Sequence, residues 1–200
     1  MTKQIIAVFD FDGTITTKDT LLEFIKFSKG RWRFYAGLLC FSPLLTAMKL
    51  NLYPNGKVKE KIFSCFYKGM KMADFNEICK KYAISRRNEI VRKKALQAIE
   101  NHLQNGDKVV IVSASIENWV RPFAEQAGIS DLLCTEIEVD GNGLLTGCFL
   151  TKNCYGQEKV NRLLVAFPNR VDYYLIAYGD NRGDREMIDF ADEGYYNNFR

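Results

Sequence analysis

The stretch Ile5-Ile6-Ala7-Val8-Phe9-Asp10-Phe11-Asp12-Gly13-Thr14 sets the reading of the whole chain. Its first five residues are apolar without polar alternation, and two carboxylates and a glycine follow at once. A continuous apolar run of this kind suits a strand buried on both faces, as strands are in a parallel sheet. Two more runs share the form. Val109-Val110-Ile111-Val112 ends at Ser113, and Tyr173-Tyr174-Leu175-Ile176-Ala177-Tyr178 ends at Gly179-Asp180. Helical patterns follow: one opens at Ser115, read as the cap with Glu117 and Asn118 in its first turn, and another runs from Asp184 to Ala191. Strand–loop–helix repetition implies a doubly wound α/β sheet, whose ligands bind beyond the carboxyl ends of the strands. The polar residues that end these runs are therefore expected around one crevice.

One hundred residues separate Asp12 from Ser113, far more than a strand-to-helix connection needs. The excess must be an insertion with its own fold. It reads as helical over Thr20–Ser28, Trp32–Lys49 with an interruption near Pro43, Val58–Gly69, and Ala73 to Leu103, with Gly106 as a stop. The expected organisation is a Rossmann-like core at 1–16 and 106–200 and an all-helical cap at 17–105. Within the core, Thr135 to Val139 alternates as a strand, Asp140-Gly141-Asn142-Gly143 is turn chemistry, and a strand returns from Leu144. Gly156 to Phe167 reads as a helix carrying Lys159.

Composition narrows the classes. The 200 residues are 47% hydrophobic and 26% charged, the ordinary globular range, which excludes disordered, collagen-like and coiled-coil chains. The solitary histidine, His102, excludes histidine-rich zinc sites and reads as a surface residue near a helix end. The six cysteines lack paired zinc-ribbon spacing, and the apolar core before Asp10 is too short for a secretory signal. Reduced, mostly buried thiols in a cytoplasmic protein are expected. The net charge of +4 is uneven: residues 18–105 hold 18 Lys and Arg against 7 Asp and Glu, and the rest hold 10 against 17. The basic middle carries no nucleic-acid motif.

Asp10 and Asp12, two apart at a strand end, should repel unless a cation sits between them. Asp180 and Asp184 arrive from the third strand. Four carboxylates without histidine favour Mg²⁺ over zinc. With Ser113 and Lys159 added, the crevice suits a phosphoryl group, whose charge spreads over three oxygens. One carboxylate can attack phosphorus and another can protonate the leaving oxygen.

In these residues the chain resembles the haloacid dehalogenase superfamily, in its phosphoserine-phosphatase-like branch. Asp10-Phe11-Asp12-Gly13-Thr14, Ser113, Lys159, and Gly179-Asp180 with Asp184 match the four motifs in order. The resemblance implies Asp10 as nucleophile and Asp12 as general acid and base. It implies Ser113, Lys159 and Thr14 on the phosphate, and Mg²⁺ at Asp10, the Asp12 carbonyl, Asp180 and Asp184. Asp19 stands where such phosphatases carry a carboxylate for the substrate amine, whereas Ser113-Ala114-Ser115 departs from Ser-Gly-Gly, against phosphoserine itself.

The expected activity is hydrolysis of a small phosphomonoester. A phosphomutase of the same chemistry and a non-catalytic binding module are the alternatives from other classes. Phe34 to Met48 is uncharged and flanked by Arg31, Arg33 and Lys49. It reads as a buried cap helix or as an interfacial segment on an anionic membrane, the latter suiting a lipid-phosphate substrate.

Overall fold

The protein is described by a computed structural model covering residues 3–50 and 52–200. Five parallel strands form the central sheet: β1 (Gln4–Phe9), β2 (Lys108–Ile116), β3 (Asp131–Thr135), β6 (Tyr173–Gly179) and β7 (Glu193–Tyr196), in the order β3-β2-β1-β6-β7. β4 (Ile137–Val139) and β5 (Leu145–Phe149) pair antiparallel as a separate hairpin. The register aligns Phe9 with Ile111 on one side and with Tyr178 on the other. Strand order reverses across β1 and β6, which makes their carboxyl ends the place for a ligand.

The apolar runs bury both faces, as the lack of alternation requires. Ala7, Phe9, Val109 and Ile111 join the larger core, with α5 (Lys93–Gln104) and α6 (Glu117–Gln126). Ile6, Val8, Val110 and Val112 join a smaller core on the opposite face, closed by Leu163 of α7 (Gln157–Ala166) and Met187 of α8 (Arg185–Phe190).

Between β1 and β2 the chain builds α1 (Thr20–Lys29), α2 (Arg31–Lys49), α3 (Asn55–Tyr67) and α4 (Met72–Ile90), then α5. The helix expected from Ala73 to Leu103 is two helices. It breaks where Val91 bridges Thr16, and Arg92 Nε donates to the carbonyls of Gly13 and Thr16 at 3.2 Å. The insertion thus leaves the core beside the point where it enters. α5, counted above in the cap, packs instead against β2 and the turn after β1.

Other details differ from the sequence reading. The alternating strand over 135–139 is divided, with Thr135 ending β3 and Ile137 starting the hairpin. α2 runs through Pro43 without interruption. Proline removes the donor to the carbonyl four residues back, and Ser42 Oγ donates to that carbonyl, Leu39 O, at 2.8 Å. No described residue of α2 is fully buried, so it is not the buried cap helix that its composition suggested. Cys79, Cys134 and Cys154 are buried, but Cys40, Cys65 and Cys148 are exposed. His102 is half-buried, bonded to Asp107 at 2.7 Å and to the Tyr178 hydroxyl at 3.1 Å. Among the described residues, no helix is long and apolar enough to cross a membrane.

Phe24 of α1 ties cap to core. It is 0% exposed, stacks on Trp119 of α6 at 4.9 Å, and meets Tyr67, Phe75 and Tyr82 edge-on or tilted within 5.6 Å. Phe24→Ala is expected to cost about 3–5 kcal/mol of stability, read by denaturant unfolding; a loss below about 1 kcal/mol would contradict this packing.

Candidate active site

The chain turns sharply after β1. Asp10 leaves the strand while its N–H still donates to Tyr178 O at 2.9 Å, extending the ladder by one residue. Gly13 then adopts φ +83°, where glycine alone is unstrained, and a Cβ there would sit 2.2 Å from Asp180 Oδ2. That glycine lets the first and third strand ends approach each other.

Lys159 Nζ lies at the centre of the site. It donates to Asp10 Oδ1 at 2.6 Å, to Asp184 Oδ1 at 2.6 Å and to Val112 O at 2.7 Å, with 1% of the residue exposed. Burial alone would lower its pKa, but Asp10 and Asp184 more than offset this and hold it as an ammonium. Asp184 is fully buried, and its Oδ2 accepts the N–H groups of Asp180 and Asn181 at 3.0 Å. It is therefore fixed by the turn that follows β6, where it forms a reciprocal capping box with Asn181.

Carboxylate oxygens of Asp10, Asp180 and Asp184 lie within 4.8 Å of one another. Lys159 pairs with Asp10 and Asp184 and Arg200 with Asp180, so three carboxylates face two cations, and Asp10 Oδ2 is buried without a hydrogen-bond partner. Burial, Asp184 and Asp12 push the Asp10 carboxyl up to about 8, against the pull of Lys159. An all-oxygen set with surplus negative charge and an orphaned acceptor fits a hard divalent cation such as Mg²⁺. Asp180 also accepts from Arg200 Nη2 at 2.6 Å and from Thr14 Oγ1 at 3.5 Å. The Thr14 hydroxyl is thus directed to Asp180, and Thr14 is not among the residues lining the main cavity.

Asp12 turns its carboxylate elsewhere. Oδ1 accepts from Thr20 Oγ1 at 2.6 Å and from Thr20 N at 3.1 Å, and Oδ2 accepts from Ser115 Oγ at 2.6 Å. Trp119 Nε1 holds the Thr20 hydroxyl at 3.1 Å. Burial and the nearby Asp19 push Asp12 up to about 6, opposed by Lys59, Ser115 and Thr20. Ser115, expected to cap a helix, is instead part of β2, and α6 begins two residues later. Neither Thr20 nor Trp119 was singled out from sequence; a hydroxyl opening a helix carries no local mark of a distant carboxylate. Asp19 caps α1, its Oδ1 accepting from Leu21 N at 3.0 Å and Leu22 N at 3.3 Å, and it also lines the cavity. Ser113 is 1% exposed and its Oγ accepts from Ser115 N at 3.1 Å. A cavity of about 580 Å³ reaches Asp10, Asp12, Ser113, Lys159, Asp180 and Asp184.

A doubly wound sheet with carboxylates, a hydroxyl and an ammonium at its strand ends defines a class, and comparison with known proteins identifies it. The family model for haloacid dehalogenase-like hydrolases matches residues 7–189, and the chain belongs to that family. It is 35% identical over 197 residues to Protein CicA of Caulobacter vibrioides, covering 98% of this chain and 87% of that one. Among solved structures, a protein of unknown function from Bordetella pertussis Tohama I superposes with a TM-score of 0.84 at 17% identity, covering 95% of this chain and 88% of that one. A phospho-aspartyl intermediate analogue of phosphoserine phosphatase superposes with a TM-score of 0.62 at 20% identity, covering 96% and 84%. These structural likenesses establish a shared fold.

Ser115→Ala removes one of the two side-chain hydroxyls that hold Asp12. Turnover of a phosphate ester is expected to fall roughly tenfold to a hundredfold with KM little changed, as measured by steady-state kinetics. Unaltered turnover would show that Ser115 does not position Asp12.

Proposed function

We propose that this hydrolase is a Mg²⁺-dependent phosphatase acting on a phosphomonoester through a covalent aspartyl-phosphate on Asp10. The observation that carries the reading is the Lys159 ammonium shared by Asp10 and Asp184 beside the orphaned Asp10 Oδ2. Asp10, Asp180 and Asp184 would hold Mg²⁺, which when bound would supply positive charge to keep Asp10 ionised and to offset the phosphoryl oxygens. Lys159 and Ser113 line the cavity beside Asp10 and would meet those oxygens. Asp10 donates an electron pair to phosphorus as the bond to the leaving oxygen breaks. Asp12, its carboxyl raised to about 6, gives that oxygen a proton and then takes one from the water that attacks the acyl-phosphate. Ser115 and Thr20 fix the direction from which it does so.

One surface supports a peripheral site of action. Trp32, Tyr35 and Leu39 are 91%, 55% and 75% exposed and fall on one face of α2 at helical spacing. Arg31 and Arg33 are exposed beside them, and Arg33 lies close enough to Lys29 to lower its pKa after burial has done so. Aromatic and aliphatic side chains flanked by cations match the interface of an anionic bilayer.

Asp10→Asn is expected to reduce hydrolysis of p-nitrophenyl phosphate by on the order of a thousandfold or more, with the circular-dichroism spectrum preserved. A chelator should abolish wild-type turnover and added Mg²⁺ restore it; retention of activity in either arm refutes the mechanism. In sedimentation with phosphatidylglycerol-containing vesicles, the protein should bind, and Trp32→Ala with Leu39→Ala should weaken partitioning by roughly tenfold or more. Equal partitioning onto neutral phosphatidylcholine vesicles would remove the electrostatic half of the argument.

A further inference from the structure

The cavity has two ends of opposite chemistry. At the sheet it ends in Asp10, Asp12, Ser113 and Lys159. Away from the sheet its wall is Leu22 of α1, Leu38, Leu45 and Met48 of α2, and Val58 and Ile62 of α3. Lys59 and Asn55 add polar groups to the same lining, Lys59 within electrostatic reach of Asp12 and Asn55 with its buried Oδ1 unpartnered. The apolar end does not stop at the wall. Leu22, Leu38, Leu45 and Ile62 also line a narrow seam that continues between α1, α2 and α3 toward Phe34 and Phe41.

A small, wholly polar phosphate ester uses only the first end. It leaves Leu22, Leu38, Leu45 and Met48 partly exposed to a space of about 580 Å³, within the range that encloses a whole small-molecule ligand. We infer that the substrate is an amphiphile: a phosphomonoester at the sheet, a polar linkage beside Lys59 and Asn55, and a hydrocarbon chain along the α1–α2–α3 wall. This rests on the phosphatase reading for its first element and on the cavity wall for its last. The chain is held by burial alone, so affinity should climb with each methylene until the wall is covered. α2 lines the cavity with Leu38, Leu45 and Met48 and exposes Trp32, Tyr35 and Leu39 elsewhere on its surface. A dissolved amphiphile and a membrane lipid share this chemistry.

The test separates the two elements. Asp10→Asn protein in Mg²⁺ buffer is titrated calorimetrically with ethyl phosphate and with octyl phosphate, both below the critical micelle concentration. Each buried methylene strengthens binding up to about fourfold, so the octyl ester should bind at least about tenfold more tightly even with partial burial. Leu38→Gln with Met48→Gln, added to Asp10→Asn, should collapse that ratio to about threefold or less. Because the ratio is taken within one protein, partial unfolding cancels. Equal affinities in the Asp10→Asn protein overturn the proposal. Wild-type turnover then distinguishes failures. Hydrolysis of ethyl and octyl phosphate at the same kcat/KM leaves the phosphatase and removes the apolar arm. Tight octyl binding without hydrolysis leaves the arm and removes the phosphatase. Faster turnover of a monoacylglycerol phosphate from vesicles than of octyl phosphate in solution supports the arm with a bilayer source; the reverse supports it with a dissolved one.

Discussion

Lys159 carries a charge to a place where a lone charge could not remain. Withdrawing an ammonium from water costs several kcal/mol even after relaxation, and only close, well-directed partners offset it. Here the partners come from three places in the chain: Asp10 beyond β1, the Val112 carbonyl in β2, and Asp184 after β6. None of these strands can shift register without leaving the ammonium or a carboxylate unpaired. The site and the sheet order are thus one constraint. The strands place the charges, and the charges penalise any other alignment. What the Lys159 ammonium and the Arg200 guanidinium leave over is negative charge among three carboxylates, and that surplus fits a divalent cation.

Much of this was legible because the central strands announce themselves. A strand buried on both faces must be apolar at every position, so the three runs and their polar ends stand out, and with them Asp10, Ser113 and Asp180. The edge strand β7 did not. Glu193 to Tyr196 is exposed throughout and carries no apolar run. Ser115 was misplaced because a serine before acidic helix residues looks like a cap, and only the third dimension sets its hydroxyl 2.6 Å from Asp12. The break at Val91 was hidden for a similar reason. No proline or glycine marks it. The helix ends because Thr17 N donates to Ile90 O at 2.7 Å and Arg92 N to Ile15 O at 2.8 Å, a pairing between segments that are distant in sequence. The uncharged run of α2 was hardest to interpret. Fifteen uncharged residues do not say which face is covered, and the helix turns out to have two apolar faces with different neighbours.

The cap and the acid are not separate devices. Asp12 belongs to the core, yet one of its oxygens rests on the first residue of α1, whose backbone N–H and hydroxyl both point at it. A helix N-terminus favours the ionised carboxylate, while burial favours the neutral one. Asp12 sits between these demands, with a pKa raised to about 6, which suits its proposed role of holding a proton for the leaving oxygen and giving it up near neutrality. Since α1 also carries Leu22 on the cavity wall and Phe24 against Trp119, the same helix fixes the acid, anchors the cap and shapes the apolar end of the cavity. In the proposed mechanism, specificity and proton transfer are therefore mechanically joined through the ten residues of α1: a substrate chain pressing on the α1 wall would act on the element that orients Asp12.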